Sequence, residues 1–187
     1  MIKKNIFYLL LLYVLSISCS NDDDNSNQVI NVDIPLGSIV AEIDGIERTF
    51  NIDSKAKLDT IPWIYQSTAV KLSISGKLEN SSNSENILIW FFAFPVREID
   101  QGTYPDLNKQ IYQYLEYNSS WQDDLYNYQA NGSGIEEYQS ESTIIRIDSE
   151  VQGIFNGKVI IGAGAIGEEQ PPLDFEIRNG KFNLTLE

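Results

Sequence analysis

The chain has 187 residues, with 13 Lys and Arg against 27 Asp and Glu, a formal net charge of −14, no histidine and a single cysteine. This composition excludes zinc sites built from Cys and His, Ser-His-Asp and Cys-His triads, histidine acid/base chemistry and any internal disulfide, so the fold must rest on its hydrophobic core. So acidic a chain shows no basic run to exchange for counterions, which argues against nucleic acid or anionic lipid as a partner.

Lys3 and Lys4 form a positive n-region and Ile6 to Ile17 an apolar h-region, and Ser16-Ile17-Ser18-Cys19 is a stretch of mostly small residues suited to cleavage. The h-region is too short for a bilayer span, which takes roughly 20 apolar residues. Together these residues resemble the signal peptide of a bacterial lipoprotein over residues 1–18. One position departs from that pattern: Ser16 stands third before the cysteine, where leucine is usual, and Leu15 lies one place earlier. The resemblance implies that Cys19 becomes the first mature residue and carries lipid on its thiol and amine. Each buried methylene then contributes about 0.8 kcal/mol, and several acyl chains make attachment to the membrane permanent. Ser20, Asn21, Asp22, Asp23 and Asp24 are similar to the acidic export signal of Bacteroidota surface lipoproteins, which implies an outer-membrane, cell-surface address. Loss of Lys3 and Lys4 with the leader leaves 11 cations against 27 anions, a net charge of −16.

Residues 19–35 are polar and acidic, with little to bury, and read as a disordered tether. Residues 36–187 are long enough for one domain with its own core. Ser38–Ile43, the pair Asp44-Gly45 and Ile46–Phe50 have the strand, two-residue turn, strand pattern of a β-hairpin. Ala69–Leu78 alternates Val70, Leu72 and Ile74 against Lys71, Ser73 and Ser75, the mark of a half-buried strand. Asn80–Asn86 reads as a polar loop. Ile87–Phe94 is apolar at nearly every position and reads as a central strand buried on both faces. Asp106–Tyr117 is the best helix candidate, although it is rich in aromatics. Thr143–Ile147, Val151–Phe155, Lys158–Ile161 and Phe175–Ile177 read as short strands, and Asn179-Gly180 as a turn into Lys181–Leu186. The pattern predicts an all-β fold, an antiparallel β-sandwich or barrel.

Ala41-Glu42-Ile43-Asp44-Gly45, Leu72-Ser73-Ile74-Ser75-Gly76, Gly102-Thr103-Tyr104, Gln152-Gly153-Ile154-Phe155 and Ile177-Arg178-Asn179-Gly180-Lys181-Phe182 occur in that order. They resemble the landmarks of a family of small Bacteroidota lipoproteins with an all-β domain. The family has no settled activity to carry over, and its glycines look like turn and bulge positions.

Seven tyrosines (Tyr104, Tyr112, Tyr114, Tyr117, Tyr126, Tyr128 and Tyr138) and Trp121 crowd one region. On strands, Tyr112 with Tyr114 and Tyr126 with Tyr128 would each share a face. A ring with a polar tip suits a sugar or a protein partner, so Tyr112, Tyr114, Trp121, Tyr126 and Tyr128 are candidate binding residues. The competing reading places the same rings in the core or over its edge. Trp63 with Tyr65, and Trp90 to Phe92, read as core. Asp123-Asp124 and Glu136-Glu137 are candidate carboxylate pairs for calcium or glycosidase chemistry, but neither has the spacing of a calcium loop. Gly153, Gly157, Gly162, Gly164 and Gly167 make no phosphate loop, because no Gly-Lys-Ser/Thr follows. Asp59-Thr60-Ile61 resembles the Bacteroidota O-glycosylation acceptor; otherwise Thr60 is an ordinary loop threonine. No cofactor is implied. The reading that fits best is a non-catalytic surface module that binds a glycan or an envelope protein. The alternatives are a structural component of the envelope and a carboxylate-dependent hydrolase.

Overall fold

The computed structural model describes residues 32–62, 68–78, 85–94, 98–122, 124–131, 136–162 and 171–187. The leader, Cys19, the acidic run Ser20–Asp24, Trp63, Tyr65, Asp123, Gly164 and Gly167 lie outside the described residues. The first hairpin forms as its sequence dictates. Asp44 and Gly45 take φ of 48° and 80°, the pair of positive angles that a two-residue turn between right-twisted strands requires. Ile43 then pairs directly with Ile46, so β1 (Ser38–Ile43) folds back on β2 (Ile46–Pro62).

Eight further strands follow: β3 (Thr68–Leu78), β4 (Asn86–Ala93), β5 (Gly102–Tyr104), β6 (Ile111–Trp121), β7 (Asp124–Ala130), β8 (Ser140–Ile147), β9 (Glu150–Ile161) and β10 (Asp174–Thr185). Neighbours run β1-β2-β3-β4-β6-β7-β9-β10, and β10 pairs again with β1, which closes the sheet into an antiparallel barrel. Barrel, not sandwich, is therefore the architecture. Closure leaves no free edge within the ring. Along one side of β9, Ile160 and Ile161 pair with β7, while Val151 to Gly157 pair with β8, which carries β5 on its far side. The β5–β8 pair is thus a flap inserted where β7 and β9 part.

Strand alternation sends one set of side chains inward. Ile39, Phe50, Leu72, Ile74, Ile87, Ile89, Phe91, Leu115, Tyr117, Val151, Phe155, Phe182 and Leu184 are fully buried. An eight-stranded barrel is just wide enough for side chains to fill. Edge-on rings do much of the filling, with Tyr117 and Tyr128 lying 5.2 and 4.6 Å from Phe175, and Phe91 5.4 Å from Tyr104. Two polar clusters are also interior. Glu85 accepts from Arg48 at 3.0 Å and from the Tyr117 hydroxyl, Ser120 N–H and Ser120 Oγ at 3.3 Å. Gln113, with its amide oriented to donate to the carbonyls of Tyr104 and Ser140 and to accept from Ser140 Oγ and Ser142 Oγ, ties β6 to the flap. Satisfied in this way, a buried amide costs little and fixes the register.

Several expected elements take a different form. Asp106–Tyr117 is no helix: Asp106 and Ile111 exchange backbone hydrogen bonds across the tight loop Leu107–Gln110, and the remainder is the start of β6. Its aromatics and alternating burial fit a strand face, and that tertiary demand outweighs local propensity. Val151–Phe155 and Lys158–Ile161 are one strand, β9. Asn179-Gly180 is not a hairpin turn. It is a bulge within β10, where pairing to β9 skips from Ile177 to Gly180 and Asn179 takes φ of 52°. A side chain on Gly180 would put its Cβ 2.5 Å from the Phe155 carbonyl. Asn86 opens β4 rather than closing a loop. Upstream, Val32 is buried and Asn183 donates to the Ile34 carbonyl, so the packed body begins before Leu36.

Candidate functional site

The five aromatic residues singled out in the sequence do not form one face. Tyr112 is 40% exposed and Tyr114 half-buried, both on the outer wall of β6. Trp121, 37% exposed, closes the far end of the same strand, seven or more residues along. Tyr126 and Tyr128 share a face as expected, but that face is the inner one: Tyr128 is 1% exposed and Tyr126 packs against the core. Burial pushes the Tyr128 phenol up to about 12, and its hydroxyl donates to the Pro172 carbonyl at 3.0 Å. Tyr104 and Tyr117 are likewise interior, with phenols raised chiefly by burial.

What joins Tyr112 and Tyr114 is β4. Of the stretch expected to be buried on both faces, only Ile87, Ile89, Phe91 and Ala93 point into the barrel; Leu88, Trp90, Phe92 and Phe94 stand half-buried on its outer wall. Among the described residues no second layer of strands covers that wall, so Trp90 and Phe92 lie outside the barrel interior. In register across the sheet, Ser73 pairs with Trp90 and Trp90 with Tyr114, while Lys71 pairs with Phe92 and Phe92 with Tyr112. The rings meet edge to face, Trp90 and Phe92 at 6.3 Å, Phe92 and Tyr114 at 5.7 Å, and Phe94 and Tyr112 at 5.8 Å. Lys71 Nζ lies 4.3 Å from the Trp90 ring centre, a cation held on an aromatic face.

The next rows of the same wall are polar. Asn118 donates to Asn86 at 2.8 Å, Asn127 to Asn118 at 3.0 Å and to Glu116 at 3.2 Å, and Gln129 to Asn127 at 2.6 Å. Burial raises the Glu116 carboxyl, opposed by the Asn127 bond and by Lys71. Concavities flank the rows on both sides. One, of about 590 Å³, is lined by Lys55 and Lys77, by Asp53 and Glu187, and by Asn86 and Leu88 among others. The other, of about 190 Å³, lies against Tyr112, Tyr114, Pro105, Leu107 and Asn131. The second exists because β7 pairs with β6 only from Leu115 onward, leaving the outer side of Ile111 to Tyr114 without a strand neighbour.

No family model, curated protein or solved structure matches the chain. The site must therefore be read from its chemistry alone. Aromatic rings, paired amides, a carboxylate and unburied lysines on one firm sheet can stack on an apolar ring face and exchange hydrogen bonds with hydroxyls around it. The candidate carboxylate pairs offer less. Asp124, Glu136 and Glu137 are exposed, and Glu137 is ion-paired with Lys158, which also reaches Asp174 at 3.2 Å. Among the described residues no cluster of three or more acidic side chains is arranged to hold a metal. Thr60 is exposed and sits within β2 rather than in a loop. Sequence reading missed Trp90 and Phe92 as site residues. The signal was present in the even spacing of Leu88, Trp90, Phe92 and Phe94 opposite Tyr112 and Tyr114, but only the β4–β6 pairing reveals it.

Proposed function

We propose that this chain is an outer-membrane surface lipoprotein, anchored through Cys19, whose barrel binds a carbohydrate on its outer aromatic face without catalysing a reaction. The observation that carries the reading is the juxtaposition of Trp90, Tyr112 and Tyr114 with the Asn86-Asn118-Asn127-Gln129-Glu116 ladder on adjoining rows of one sheet. Tyrosine and tryptophan supply contact area at low cost in side-chain entropy. The amides are already oriented by one another, so a ligand need not order them. From Lys71 to Lys77 the wall runs about 20 Å along the strands, room for a chain of several sugar rings rather than a monosaccharide.

The test is a glycan-array screen of the purified chain beside a Tyr112→Ala/Tyr114→Ala variant. The expected result is retention of oligosaccharides by the parent and their loss in the variant, with a cooperative melt lowered only by the loss of the surface ring pairs. Retention by both proteins alike, or by neither, contradicts the reading. Capture of an envelope protein in place of any glycan would contradict the carbohydrate reading and favour the protein partner named beside it.

A further inference from the structure

We infer that the carbohydrate taken by this face is an acidic polysaccharide, its anionic groups met by Lys71 and the lysines beside it. The inference rests on the carbohydrate reading above and adds its charge. Lys55, Lys57, Lys71 and Lys77 occupy the outer wall of β2 and β3, four of the chain's thirteen Lys and Arg. They are spread over 23 positions in sequence. Antiparallel pairing places Lys57 opposite Ser73, Lys55 opposite Ser75 and Lys71 opposite Asp59; Lys71 borders the aromatic rows, and Lys55 and Lys77 line the 590 Å³ concavity beside Asp53 and Glu187.

Their pairing is uneven. Lys57 is held by Asp59 at 3.0 Å and Lys77 by Asp53 at 2.8 Å. Lys71 has its ammonium over Trp90 and Phe92, 4.3 and 5.5 Å from the ring centres, and among the described residues no carboxylate reaches ion-pair distance of it or of Lys55. The carboxylate facing Lys71 across the rings, Glu116, is engaged by Asn127 and Gln129. A sugar ring lying against Trp90 and Tyr114 would therefore bring an equatorial carboxylate or sulfate to an ammonium that feels Glu116 at a distance but is in direct ion-pair contact with no carboxylate among the described residues. Bonds between charged groups of this kind are stronger than neutral ones. A neutral sugar can accept hydrogen bonds from the lysines but gains no charge pairing from them.

The test is calorimetric titration of the full-length chain in detergent with polygalacturonate, dextran sulfate, neutral dextran and poly-glutamate, repeated for Lys71→Gln and for Trp90→Ala/Tyr114→Ala. The expected result is binding of one or both acidic glycans, weakened about tenfold or more by Lys71→Gln and weakened by added salt, with cooperative melts kept in both variants and only the lost ring pairs lowering that of Trp90→Ala/Tyr114→Ala. Polygalacturonate and dextran sulfate separate carboxylate from sulfate as the preferred anion. Equal, salt-independent binding of neutral dextran overturns the charge inference while leaving the carbohydrate reading intact. Poly-glutamate binding as well as the acidic glycans, or acidic-glycan binding that survives Trp90→Ala/Tyr114→Ala, overturns it as mere attraction of polyanions. Failure of all four probes overturns the inference, and the glycan-array screen then decides the broader reading separately.

Discussion

Phe91 is fully buried, whereas its neighbours Trp90 and Phe92 stand half-buried on the outer wall. The three residues have similar hydrophobicity, so composition cannot separate them; only the strand's twofold alternation in a closed barrel does. Phe91→Ala should therefore cost about 3–5 kcal/mol, as large buried aromatics do. Trp90→Ala should cost only about 1 kcal/mol, the scale of a lost ring pair. Urea denaturation of both variants checks the contrast, and equal losses would contradict the assignment of faces. The interior tyrosines give a second residue-scale prediction. Burial raises the phenols of Tyr104, Tyr117 and Tyr128, the last to about 12, above the ordinary value near 10. A raised pKa means that the folded state prefers the protonated phenol. The stabilisation is thus fully present below about pH 10 and is lost as pH rises toward 12. Denaturation across that window should show falling stability, and Tyr128→Phe should flatten the fall.

At the scale of elements, the sequence was most legible where local chemistry alone decides. Asp44-Gly45 permits little besides a tight turn, and the alternation of Ala69–Leu78 marks one wet and one dry face. It was least legible where a distant partner decides. Asn179-Gly180 carries the same local signal as a hairpin turn, yet β10 runs on because β1 and β9 flank it on both sides. The glycine is needed for close approach to Phe155 rather than for reversal of the chain. Gly180→Ala should accordingly destabilise by about 1–3 kcal/mol through overpacking, seen as a lower urea midpoint. A neutral result would show that the bulge has room to spare. Asp106–Tyr117 failed for a related reason: nothing local states that β4 waits to pair with Tyr112 and Tyr114. The candidate site was half legible for that same reason, since Tyr112 and Tyr114 were visible while Trp90 was read as core.

The whole molecule is an acidic chain that gathers lysines onto one wall. Sequence gives the overall charge; the β2–β3 pairing gives its distribution on this wall, where Lys55, Lys57, Lys71 and Lys77 stand among Asp53 and Asp59. If Cys19 carries the anchor, Cys19→Ala should move the protein from the membrane fraction to the soluble one, and unchanged fractionation would refute the anchor. Binding on the outer wall is the central claim, and Trp90 reports on it directly. In a Trp63→Phe/Trp121→Phe chain Trp90 is the only tryptophan, and its emission can be followed while a glycan shown to bind by calorimetry is added. The account predicts a saturable shift of that emission with the calorimetric affinity; unchanged emission on addition of a bound glycan would place the ligand elsewhere and contradict it.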